Sequence, residues 1–166
     1  QNIESNKILI ESQNELKINE LKAIYKQKWI DDLRILVSTY LSTLEKISNR
    51  LIFINHTFTT ENYTNLRFIE NSSERLNEYE EINALFQEIP TYSARLSLYL
   101  EKKKKKYQRL LEREKILQAS ICTVFAVFFG EDVDQLGDKI RKVQSNLNEF
   151  QNLLISIILD KDLGGV

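Results

Sequence analysis

Between positions 133 and 157, Val133, Leu136, Ile140, Val143, Leu147, Phe150, Leu154 and Ile157 recur at alternating spacings of three and four. That rhythm matches the turn of an α-helix and gathers every apolar side chain onto one stripe. At about 1.5 Å per residue the stripe is roughly 37 Å long. Water is a poor neighbour for it, so it must face another helix of this chain or of a second one.

The rest of the chain agrees with a helical fold. Among 166 residues there are one Pro and four Gly, far fewer turn residues than a sheet-rich fold uses. With 42% hydrophobic and 28% charged residues, one domain spanning 1–166 can bury a core. Basic and acidic residues nearly balance at a net charge of −1, so no global field draws the chain onto nucleic acid, which is not expected as a partner. The chain opens on Gln1 and holds no Met, the expectation being a fragment of a longer chain with an upstream membrane anchor possible. The longest uncharged stretch, 116–130, is shorter than the roughly 20 residues that cross a bilayer.

Along the chain, Leu21, Tyr25, Trp29, Leu33, Leu36, Tyr40, Leu44, Ile47 and Leu51 predict one long first helix over about 2–51. Its first fifteen residues are rich in Asn, Ser and Glu and are expected to fray or to continue something upstream. Residues 53–70 mix β-branched, aromatic and amide side chains and read as a long connection. Asn71 and Glu74 have the spacing of a capping box, opening a second helix through Leu76, Tyr79, Ile82, Leu85, Phe86 and Ile89. Pro90 predicts a kink or a short break, after which the pattern continues through Leu96, Leu100, Tyr107, Leu110 and Leu117 to a terminator at Gly130. Glu131, Asp132, Asp134 and Asp138 suit the amino-terminal end of the last helix, where the helix dipole favours negative charge. Gly164 and Gly165 predict its end. The fold expected is all-α: an elongated antiparallel bundle of three to five long, coiled-coil-like helices.

Four features bear on function. Lys102, Lys103, Lys104, Lys105 and Lys106, followed by Arg109, form a basic patch that could meet a polyanion. The alternative is a hydrated helix surface neutralising the acidic segments at 74–88 and 131–138. Residues 119–129 are apolar on every face, which fits a buried core helix, a partner interface, or the hidden membrane-inserting hairpin of a soluble pore-forming toxin. Cys122 lies inside that run and is expected to be a buried thiol. His56 is the lone histidine, so histidine-based triads and di-iron pairs lack their members. The glycines have no phosphate-binding spacing. No catalytic, cofactor or metal site is expected, and the glycosylation-like triplets at Asn55, Asn62 and Asn71 are what an Asn-rich chain produces by chance.

The segment from Glu15 to Leu44 carries Trp29, Ile30, Leu33 and Arg34 in a W-I-x-x-L-R pattern, and Ile89, Arg95, Leu96, Leu98 and Leu100 follow an I-x-x-x-x-x-R-L-x-L-x-L pattern. Both resemble a loose group of uncharacterised bacterial membrane-anchored helical proteins, some linked to anti-phage defence. The resemblance implies a transmembrane helix upstream, a bacterial inner-membrane location with this domain in the cytoplasm, and a protein partner or self-association through helix faces. A soluble cytoplasmic protein is the alternative. On physical grounds Trp29 and Leu33 share a face one turn apart, Ile30 widens it, and Asp31 can pair with Arg34.

Overall fold

The computed structural model describes residues 2–58, 72–100, 104–129 and 133–160. Four α-helices account for nearly all of them: α1 (Asn2–Phe58), α2 (Ser72–Leu100), α3 (Lys104–Phe129) and α4 (Leu136–Ile158), the last preceded by a 3₁₀ turn, Val133–Gln135. The fold is the helical bundle that the ladders predict.

The C-terminal ladder is the clearest case. Leu136, Ile140, Val143, Leu147, Phe150, Leu154 and Ile157 are each 3% exposed or less. Their stripe packs against α3 on one side and α1 on the other. The helix ends at Ile158, well before the two glycines: Leu159 donates to the Ile155 carbonyl (3.1 Å) and Asp160 to that of Ile157 (3.3 Å). Once Ile157 has found the core, Leu159 at 71% exposed has no surface to join.

Cross-helix contacts fix the topology. Arg50 reaches Glu78, Thr43 reaches Glu88, and the rings of Trp29 and Tyr99 are 5.5 Å apart, so α1 and α2 run antiparallel. The Ser93–Glu114 hydrogen bond and the Tyr79 and Phe125 rings (4.9 Å) together set α2 against α3 in the same sense. Tyr40 meets Phe150 at 5.4 Å, and a Cβ on Gly137 would lie 3.4 Å from Asn55 Oδ1, so α1 and α4 are antiparallel too. The chain therefore goes up, down, up and down, with α1 and α3 parallel across the middle.

Three expectations need revision. The first helix continues to Phe58, taking in residues read as the start of a connection, because Ile54 still lands on the buried stripe. Of the kink or short break expected at Pro90, the break does not occur, since α2 runs through that residue; Pro90 is exposed, and on that side a missing backbone donor is cheapest. At the other end of α1 the expected packing fails: Leu21 and Tyr25 are exposed, as is every residue from Asn2 to Lys28. The length of the helix explains this. Its 57 residues span about 85 Å at 1.5 Å each, whereas its neighbours have 29, 26 and 23 residues. Nearly half of α1 projects beyond the bundle. Asn71, Gly130, Glu131, Asp132, Gly164 and Gly165 lie outside the described residues.

Candidate interaction site

Among the described residues, a polar layer midway along the bundle departs from plain apolar packing, as does the projecting half of α1 with the corner from which it emerges.

The polar layer is built on Glu114, which α3 delivers to the interior at 6% exposed. Its carboxylate accepts from Tyr40 Oη (3.2 Å), from Gln118 Nε2 (3.2 Å) and from the Ser93 hydroxyl. Burial pushes the Glu114 carboxyl above the usual range, and the Ser93 and Tyr40 hydrogen bonds pull it partway back. Tyr40 is itself raised far above an ordinary phenol, by burial first and the Glu114 charge second, so its hydroxyl remains a donor at any working pH. Beside this cluster Thr43 lies within 3.3 Å of both Glu88 and Tyr92, and the Tyr92 hydroxyl donates to Glu88 at 3.0 Å. The ring of Tyr40 stacks on Tyr92 at 5.1 Å and meets the edge of Phe150. Because three-four ladders can slide by a heptad and still bury carbon, these bonds give α1, α2 and α3 one register in which the polar groups are satisfied. Sequence reading missed this layer. Glu114 sits among Arg113 and Lys115 and looks like any surface carboxylate, although its spacing from Leu110 and Leu117 puts it on the buried stripe.

The four residues of the W-I-x-x-L-R pattern lie at the point where α1 enters the bundle. Leu33 is in the core, while Trp29 and Ile30 are half-buried, Trp29 against Tyr99. Arg34 is exposed and pairs with Asp31 at 3.5 Å, as its i,i+3 spacing implies, and Gln27 donates to the same carboxylate at 2.9 Å. A small cavity of about 270 Å³ opens nearby, lined by Asp32, Thr39, Tyr92, Arg95 and Tyr99 among others. Upstream of Trp29, residues in line with the core stripe become Lys26, Lys22 and Glu15. Charges there end the line of the core stripe, while large apolar residues to either side of that line, Ile3, Ile8, Leu9, Ile10, Leu16, Ile18, Leu21 and Tyr25, remain on the exposed surface.

The start of α3, which carries the described part of the basic patch, lies at this same end of the bundle. Lys105 and Arg109 are exposed on the first turns of α3; with Glu114 level with Tyr40 and the helices parallel, those turns lie level with residues 31–35 of α1. Lys104 and Lys106 also belong to α3, while Lys102 and Lys103 lie outside the described residues. For the described patch residues Lys105 and Arg109, residues 74–81 and Asp134 and Asp138 lie at the opposite end of the bundle, out of reach of the expected neutralisation. There Arg50 bridges to Glu78 and Glu81, and Arg141 pairs with Asp138.

Residues 119–129 are not buried all round. Ile121, Val124 and Phe128 face the core, Phe125 and Val127 are half-buried, and Ala119, Thr123 and Ala126 are exposed. Cys122 is exposed as well, correcting the expected buried thiol: it precedes Val124 by two residues and so lies on the far side of α3. Among the described residues no helix is long and apolar enough to cross a membrane, and no group of metal-binding side chains comes together. His56 is exposed near the end of α1.

Compared with known proteins, the chain matches no family model, no curated protein and no solved structure.

Proposed function

We propose that this chain is a non-enzymatic helical interaction and assembly domain, which acts through the projecting half of α1 and the Trp29 corner. Following the W-I-x-x-L-R resemblance, its setting is the cytoplasmic side of a bacterial membrane-anchored protein of an anti-phage defence system. What supports the interaction reading is the exposed run of large apolar residues from Ile3 to Tyr25 on a helix that has left its own bundle. Most helical stability in proteins comes from packing an apolar face, and this half of α1 has no such packing among the described residues. A partner would supply that packing.

The experiment is site-specific photocrosslinking in cells that make the protein natively, with the photoreactive side chain at Leu21 and, as a control, at Ile52 on the bundle surface. The expected result is a discrete adduct from position 21 and none from position 52. Equal labelling at both positions would refute the interaction reading. Alkaline carbonate washing of membranes from the same cells tests the setting independently: a resistant pellet is expected, and full release would remove the anchor.

A further inference from the structure

The projecting half of α1 carries an apolar seam that is its own complement. From Ile3, the positions Ile3, Lys7, Ile10, Asn14, Ile18, Leu21 and Tyr25 follow at spacings of four, three, four, four, three and four. They lie on one helical face that runs on into Trp29. The five large apolar members are each more than half exposed. The spacing reads the same from either end, with Asn14 at its centre. Two copies laid side by side in opposite directions therefore match layer for layer: Ile10 meets Ile18, Ile3 meets Tyr25, the aliphatic stem of Lys7 covers Leu21, and the two Asn14 side chains meet on the symmetry axis.

Charge selects the same orientation. Residues 2–15 hold Glu4, Glu11 and Glu15 against Lys7 alone, and residues 17–28 hold Lys17, Lys22, Lys26 and Lys28 against Glu20 alone. A parallel pair would set acidic half on acidic half and basic on basic. An antiparallel pair sets each half against its opposite. Single exposed pairs are weak, but their summed sign decides orientation and partner. A polar Asn at one seam position fixes register in paired helices. An anionic membrane surface, by contrast, recruits a helix basic along its whole polar face, and the first half has the wrong sign.

We infer that residues 2–28 form an antiparallel pair with the same residues of a second copy of this chain, leaving the two bundles at opposite ends. This rests on the interaction reading above and names the partner. The test uses the whole chain with Cys122→Ser and single new cysteines. Asn14→Cys is expected to cross-link to itself within minutes of oxidation. Ile3→Cys and Tyr25→Cys are each expected to stay single alone and to join each other when mixed. Sedimentation should show two chains per particle, and Ile18→Glu with Leu21→Glu should weaken pairing at least tenfold while the thermal melt of the bundle persists. Cross-links of position 3 to itself and 25 to itself, or a single-chain mass at 100 μM, would overturn the inference. The photoadduct distinguishes the two failures: an adduct of other mass at position 21, with a single-chain mass for the pure protein, removes the second copy and keeps the interaction domain.

Discussion

Replacing Tyr40 by Phe removes one oxygen from the middle of the core and little else. The ring stays, with its stacking on Tyr92 and its edge contact to Phe150, so the measured change reports the bond to Glu114. A hydrogen bond to a charged group contributes about 1.5–3 kcal/mol and a neutral one about 0.5–1.5. Which range applies depends on the protonation of Glu114. Its carboxyl is raised in the folded state by burial, so the native protein holds a proton over a window in which the unfolded chain has lost it. Stability is then fully present below the unfolded pKa and falls as pH rises through the folded one. Losing the Tyr40 donor, which favours the carboxylate, raises that carboxyl further, so the penalty of Tyr40→Phe grows with pH. About 2 kcal/mol is expected with Glu114 ionised, a drop of about 4–8 °C in Tm for a chain of this size, and about half of that with Glu114 protonated. Urea unfolding followed by circular dichroism on both sides of the wild-type stability step measures it. In Glu114→Gln the step with pH should shrink to the share that Glu78 carries, whose carboxyl burial also raises, and Tyr40→Phe should cost the same at every pH. A Tyr40→Phe penalty that is pH-independent in the wild-type background, or no penalty at all, would refute the account of the polar layer.

Other outcomes follow from the same structure. Phe150→Ala empties a fully buried position on the α4 stripe and should cost about 3–5 kcal/mol by chemical denaturation; a loss under 1 kcal/mol would mean that the ladder does not face the core. Pro90→Ala restores a backbone donor on the exposed side of α2 and is expected to stabilise by about 1–3 kcal/mol, which a lowered Tm would contradict. Cys122 should react with a thiol reagent in the native protein nearly as fast as in urea, whereas protection until unfolding would contradict its exposure. Retention on heparin, if the basic patch binds polyanions, should fall steeply with salt and disappear when Lys102 to Lys106 become Gln; unchanged retention would exclude the patch.

The α4 stripe was legible residue by residue because a strict three-four pattern has one geometric meaning, and its members from Leu136 to Ile157 are buried. The α1 ladder was legible only in part. Its spacing continues upstream of Trp29, but spacing states which residues share a face and not where the partner helices end. That limit is set by the shorter lengths of α2, α3 and α4, together with the charges at Lys22 and Lys26. Glu114 was illegible for the opposite reason. A carboxylate between Arg113 and Lys115 looks solvated in sequence, and the meeting of Tyr40, Ser93 and Gln118 around it makes its burial tolerable. Cys122 shows that apolar composition is a poor guide within a helix facing solvent on one side.

The two halves of α1 thus divide one periodic pattern between two kinds of partner. From Leu33 to Ile54 the stripe is satisfied within the chain, and the polar layer at Tyr40 and Thr43 fixes the register in which it is satisfied. From Ile3 to Tyr25 the face is built in a similar way, with Lys7 and Asn14 among apolar residues, but none of the described helices covers it. Trp29 joins the two halves: it is half-buried against Tyr99 and one turn from Tyr25. In the antiparallel register the partner's Ile3 would seat on Tyr25, one turn from Trp29, and take water from that side of the indole, so pairing should shift Trp29 fluorescence. Since Trp29 is the sole tryptophan, the signal is unambiguous. A concentration series in which the emission stays constant while the mass doubles would mean that the pairing surface lies elsewhere on the molecule.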